Sequence, residues 1–326
     1  MRAVRTWIGR YSILTLAFCP AAVGCGNGAE AQRELVFVAA GTGGFHIVDV
    51  RDPTNPLLAS SLSGTGADVH AIGSLACAVG GSAGIRVVDV SDPAEPSVLG
   101  SCAMDFAMGV FAEGDRAYVA DGLGGLKIVD VSSPAAPVQV GHCPLPDVSA
   151  MEVFASGGRA YLAGDYDGLR IVDVSDPAEP VELGFEDSVP VLDVFVDGER
   201  AYVAGHPPCL RILDVSDPAH ASEVGQFGAG KTSAGRGVEV RGGHAFLAIQ
   251  GEGLYVLDVS DPADPQELGF CEGAGEVYDL DVRGDYAYLA CWDDGLQVVD
   301  VSDPADPQTA ATLALEGRAL RVFAGD

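Results

Sequence analysis

Oxygen-rich side chains stand at loop-type positions along this 326-residue chain, and carboxylates gathered from several loops are the hard ligands that Ca²⁺ or a cationic group selects. The candidates are Asp105, Asp147, Asp165, Asp167, Glu276 and Asp293, with Trp292 beside Asp293 either an aromatic platform for a sugar or a peptide or, the reading favoured, a ring packed against the adjacent blade. Asp165-Tyr166-Asp167-Gly168 reads as an oxygen-rich turn, yet it lacks the downstream bidentate Glu of an EF-hand loop. Solvated loops account for the same residues. The set therefore marks a candidate ligand face, no metal-ligating residue is assigned, and Ca²⁺ is the one cofactor such a face could hold.

Other chemistries find no constellation. Gly80-Gly81-Ser82-Ala83-Gly84 has the spacing of a serine nucleophile elbow, but it falls between two antiparallel strands and not at a strand-to-helix turn. The histidines His46, His70, His142, His206, His220 and His244 are scattered with no i, i+4 pair, and there is no C-x-x-C. Gly41-Thr42-Gly43-Gly44 has no Lys and no following helix, so it is a hairpin connection and not a phosphate cradle. No catalytic residue is assigned.

The elements that must position these loops come from a repeat. Ile85 to Pro96 reads IRVVDVSDPAEP, and variants begin at Phe45, Leu126, Leu169, Leu210, Leu254 and Leu296. Their first Asp residues (Asp49, Asp89, Asp130, Asp173, Asp214, Asp258, Asp300) are 40, 41, 43, 41, 44 and 42 apart, a period that means one supersecondary unit per repeat. Each unit reads as four strands, clearest in Val277–Val282, Tyr286–Ala290, Leu296–Val301 and Gln308–Leu313. The second strand has an Ala-aromatic-aliphatic-Ala core, as in Ala160-Tyr161-Leu162-Ala163, whose alanines let sheets approach. The third is apolar on both faces, as in Ile171-Val172, which suits a sheet packed between two others. The Ser-Asp-Pro that follows is turn chemistry, and it makes the repeated Asp a brace.

The ends of the repeat array complete each other. Glu34 to Val38 begins at a second strand, while Ala319 to Asp326 matches Met108 to Asp115 and stops where a second strand would start. A last strand docked into the first sheet closes a ring and removes exposed edges. The expected fold is all-β: a seven-bladed β-propeller of four-stranded antiparallel blades over residues 34–326, its first blade closed by the C-terminal strand. Three residues before each repeated Asp stand His46, Arg86, Lys127, Arg170, Arg211, Tyr255 and Gln297, and the long ones are expected to pair with acids of the adjacent blade.

The repeat resembles the LVIVD repeat of bacterial and archaeal extracytoplasmic β-propeller proteins. Thr54-Asn55, Ser133 and His220-Ala221 depart from its I-V-D-V-S-D-P-A-x-P pattern. The resemblance implies a surface or envelope role in adhesion or binding, and it brings no catalytic residues.

Residues 1–24 read as an export signal: Arg2, Arg5 and Arg10, an apolar stretch from Tyr11 to Phe18, then small residues before Cys25. Ala21-Ala22-Val23-Gly24-Cys25 resembles a lipobox, which makes Cys25 the lipid-attachment residue and 25–33 a flexible tether. The net charge of −29 disfavours nucleic acid and anionic membrane surfaces, although much of it belongs to the repeated turns. Six cysteines follow the tether in no known disulfide framework. The expectation is a monomeric, non-enzymatic envelope lipoprotein, touching the membrane only through its lipid, that binds a protein, glycan or cation at an acidic mouth. The alternative is a Ca²⁺-dependent hydrolase of the lactonase or phosphotriesterase type. It would need acids at channel depth on the inner strands, where the sequence reading places only Asp193, Asp279 and Asp281.

Overall fold

The structure is a computed structural model that describes residues 34–187 and 190–325; the expected signal, Cys25 and the tether lie outside them. Seven four-stranded antiparallel sheets stand around one axis. From the channel outward, blade one runs Arg321–Ala324, Leu35–Ala39, Phe45–Asp49 and Leu57–Leu62. The other inner strands, blades two to seven, are Asp68–Ile72, Gly109–Glu113, Glu152–Ser156, Val191–Asp197, Gly235–Arg241 and Asp279–Arg283. The closing strand pairs Val322 with Val38 and Phe323 with Phe37, as the complementary ends of the repeat array require.

One hydrophobic cluster fills each of the seven blade interfaces. Between blades three and four, Leu126, Ile128 and Tyr118 pack on Val153, Leu162 and Val172. At the seam, Tyr288, Leu296 and Val298 of blade seven meet Val36, Val38, Val48 and Val322 of blade one. The two-sided third strand works as expected, with Ile171 facing blade five and Val172 facing blade three. Each fully buried side chain of this kind contributes roughly 1.5–3 kcal/mol.

The outer strands meet the next blade through a bulge. In every blade the register shifts after the middle of the third strand where it pairs with the fourth, and the shift places Gly100, Gly141, Gly184, Gly225 and Gly269 against the next blade's proline turn. A Cβ on Gly141 would stand 1.9 Å from the carbonyl oxygen of Pro177. In blade one Ser60 takes this position and donates its hydroxyl to the Pro93 carbonyl at 2.5 Å.

The repeated acids are braces. Asp89, Asp130, Asp173, Asp214, Asp258 and Asp300 each accept the backbone N–H two residues on, at 2.9–3.0 Å. Hydrogen bonding to Ser216 and to Arg200 holds the Asp214 carboxyl down to about 2. The expected ladder is present in altered form. Arg211 joins Glu186, at the end of the preceding blade's outer strand, to Glu223 of its own blade, at 2.7 and 2.6 Å. Lys127 reaches Asp105 at 2.8 Å and Asp121 at 2.5 Å. Arg86 instead binds the carbonyls of Ser63 and Thr65. Arg170 stays within its own blade, 3.4 Å from Glu182 and over the Phe185 ring. Arg86, Lys127 and Arg211 thus grip the segment arriving from the previous blade, which offers carbonyls as well as acids. All six cysteines among the described residues are free.

Two outcomes follow for stability. Gly141→Ala should lose about 1–3 kcal/mol by overpacking, whereas Gly230→Ala, with nothing within 4 Å of the new Cβ, should be near neutral in urea unfolding. Arg211→Met strands two carboxylates and should lower the melting temperature clearly. Arg170→Met should cost under about 1 kcal/mol, as expected for a part-exposed pair.

Candidate ligand channel

The inner strands run in the β conformation, so alternate residues face the axis. The first facing layer holds Asp68, Gly109, Glu152, Asp193, Gly237, Asp279 and Arg321; the second holds His70, Phe111, Phe154, Phe195, Glu239, Asp281 and Phe323. All of these except Gly109 and Gly237 line a cavity of about 470 Å³ that extends to the hairpins between first and second strands, at Gly73, Glu113 and Gly114. Asp68 and His70 lie on a strand in which polar residues facing the axis alternate with Val69 and Ala71 of the blade-interface core.

The two layers carry six carboxyl groups, twice the number expected at channel depth. Their chemistry is dictated by an unpaired edge. The innermost strand of every blade has no further strand to pair with, so its outward N–H groups need acceptors. The acids of one blade supply them to the next. Asp68 accepts the Val110 N–H at 2.7 Å, Asp193 that of Val238 at 2.7 Å, and Glu239 that of Val282 at 2.5 Å. Asp279 accepts from Val322 at 2.9 Å and Asp281 from Ala324 at 2.7 Å, which fastens the closing strand to blade seven. The exception is Glu152, which accepts from its own neighbour Val153 at 3.0 Å.

Arg321 supplies the counter-charge for the first layer. Rising from blade one, it crosses to Glu152 of blade four, with Nε 2.8 Å from Oε2, and lies 4.0 Å from Asp279. Glycines make the room: a Cβ on Gly109 would come within 2.8 Å of Glu152, and one on Gly237 within 2.9 Å of Asp279. Burial pushes the carboxyls of Asp68 and Asp193 up and those of Glu152 and Asp279 well up, while Arg321 pulls all four back. In the second layer burial, and then the hydrogen-bonded neighbour Glu239, push Asp281 well up. Glu239 is also paired with Arg241. Opposite them Phe323, His70, Phe111, Phe154 and Phe195 form an unbroken aromatic wall, with neighbouring ring centroids 4.1, 4.6, 4.9 and 5.1 Å apart.

None of the candidate loop residues lines this cavity. Asp105 is tied to Lys127, Asp167 accepts the Ser149 N–H at 3.1 Å, and Asp147 is exposed at φ 63°. Asp165 pairs its backbone with Val191 of the next blade, and burial raises its carboxyl. Only Glu276, Trp292 and Asp293 come together, through Tyr278 and Arg318. Trp292 stacks on Tyr278 at 4.3 Å, Arg318 covers the indole at 4.7 Å, and Arg236 covers the phenol ring at 4.8 Å. Asp293 lies 3.3 Å from Arg318, and Glu276 accepts from Gln250 at 3.1 Å. Trp292 is therefore a packed layer between blades, and its φ of 41° falls where blades one to three have Gly41, Gly81 and Gly122. Asp193, Asp279 and Asp281 are the acids expected on the inner strands; Asp68, Glu152, Glu239 and Arg321 join them only when the seven inner strands are aligned, which puts Asp68, Glu152, Asp193, Asp279 and Arg321 in one column.

Seven blades around a lined axial channel define a β-propeller. The LVIVD repeat matches at residues 34–64, 63–104, 106–144, 148–186, 191–228, 232–272 and 274–313, and the chain belongs to that family. Among solved structures, a candidate 6-phosphogluconolactonase from Bacteroides fragilis is 13% identical, with 92% of this chain and 100% of that one covered at a TM-score of 0.73. A second one from Bacteroides uniformis is 14% identical, covering 90% and 99% at 0.73. A functionally unknown protein from Desulfotomaculum acetoxidans is 13% identical, covering 90% and 100% at 0.71. Likeness at these identities shows the fold alone. No curated protein matches the chain.

Removing the central cation should be costly in a pH-dependent way. In Arg321→Met the folded carboxylates bind protons still more tightly than in the unfolded chain, so stability falls as pH rises above the ordinary carboxylate range. The loss relative to the parent should be about 3–5 kcal/mol at pH 8 and should shrink towards pH 5. Urea midpoints at the two pH values read it, and an equal loss at both would contradict the account.

Proposed function

We propose that this protein is a non-catalytic binding propeller of the bacterial cell envelope, held to the membrane by lipid on Cys25, which receives its ligand in the axial channel from the hairpin face. The observation that carries the binding reading is that the channel acids already have partners: five cap the next blade's N–H groups, and Arg321 stands among the first-layer four. A hydrolase of the lactonase type would need those oxygens free to converge on Ca²⁺. Among the described residues no group of three or more His, Cys, Asp or Glu is arranged to hold a metal ion. The anchoring reading rests on the arginines, the apolar stretch and the small residues that precede Cys25.

The six channel carboxylates and the fold shared with candidate lactonases are what favour the Ca²⁺-dependent alternative. A calcium titration followed by melting separates the two. The binding reading expects a shift under about 1 °C at millimolar Ca²⁺, and a rise of several degrees at micromolar Ca²⁺ would favour the hydrolase. For the anchor, Cys25→Ser should move the protein from the membrane fraction to the soluble one, and mass spectrometry of the mature N-terminus should find acyl chains on Cys25.

A further inference from the structure

We propose that the channel takes an organic ammonium with an aromatic-sized apolar body, the charged end directed to Glu239 and Asp281 and the body against the wall of Phe111, Phe154 and Phe195. This rests on the reading of the channel as a ligand site and names the class of ligand.

The volume, about 470 Å³, lies in the range of small-molecule sites, roughly 300–1,000 Å³. Its two sides differ. Blades one to five contribute the aromatic wall, and blades six and seven the carboxyl pair, so an occupant must be apolar on one side and polar on the other. The sign of the polar end follows from the charges present. Seven carboxyl groups line the cavity, counting Glu113 at its rim, against two guanidiniums, and both guanidiniums are engaged, Arg321 with Glu152 and Arg241 with Glu239. His70 adds no positive charge near neutrality, because burial lowers it to about 4. An anion would therefore find both cations already paired. A cation gains from the carboxyl pair and from the negative faces of the rings, an attraction that strengthens where water is excluded.

A second feature of the wall points the same way. The His70 imidazole lies in the middle of the aromatic run, and its Nδ1 is buried without a hydrogen-bond partner. A buried polar atom left unpaired is costly, and a neutral imidazole offers an acceptor that an ammonium N–H can satisfy. Each element at this level other than the two acidic blades presents an aromatic ring, so polar groups are gathered on one side and do not surround the occupant as a sugar ring would require.

Three probes of one shape and different charge test the class: 2-phenylethylammonium, 2-phenylethanol and 3-phenylpropionate, titrated by calorimetry into the folded protein. The ammonium should bind one per chain and at least about tenfold more tightly than the alcohol, with no binding of the carboxylate. Phe154→Leu keeps apolar bulk but removes a π-face, and it should weaken the ammonium about three- to tenfold while leaving the alcohol within twofold. Equal binding of ammonium and alcohol, preference for the carboxylate, or no binding of any probe would overturn the inference. The probe comparison on the parent protein decides even if the variant folds poorly. None of these failures bears on the binding-propeller reading, which stands or falls on the calcium response.

Discussion

The constraint on which everything else depends is that no blade can bury its own third strand. Val172 and Ile171 are adjacent in sequence and point to opposite faces, so blade four is insoluble as an isolated sheet and needs a neighbour on each side. Repeating that requirement seven times leaves no place for an end, and the hydrophobic surface is completed only when the last segment joins the first sheet. Val322 sits in the same cluster as Val36, Val38 and Val298, so the seam is packed like any other interface. The bulged outer strands and their glycines have the same origin, since blades this close leave no room for a side chain against the next turn.

Closing the ring creates a second demand at its centre. Seven inner edges converge, each with N–H groups that neither water nor a further strand fully reaches, and the chain answers with acids aimed at the following blade. A ring of buried acids would repel itself apart from Arg321, which spans the axis from blade one to blade four. The result is a channel that is polar for structural reasons along its floor and aromatic along most of its wall. Binding chemistry is thereby shifted away from the exposed loops, whose acids are mostly tied to neighbouring cations or to backbone, and into the axis.

The residues of the fold were legible to different degrees. Turn acids, two-sided third strands and the complementary termini could be assigned from residue types alone, because each reflects local chemistry or a periodicity carried by the repeat. The channel was harder. Nothing in the residue pattern marks Glu152, Glu239 or Asp68 as channel-facing, because period-two alternation does not say whether the polar face meets solvent or a shared axis. Trp292 left two readings open, and the favoured one, packing, holds. A large aromatic in a loop looks available, yet its faces are covered by Tyr278 and Arg318, which lie outside its hairpin.

What the amino-acid sequence determined by itself is the repeat: strand, turn, brace and the number of blades, all set by interactions reaching only a few residues along the chain. What only the tertiary structure decided is which charges meet. Arg321 and Glu152 are 169 positions apart and belong to blades on opposite sides of the axis, and no local preference of either residue carries that distance. Their pairing exists because ring closure carries seven inner edges to one axis, where the low dielectric makes an unmatched charge too costly to leave alone.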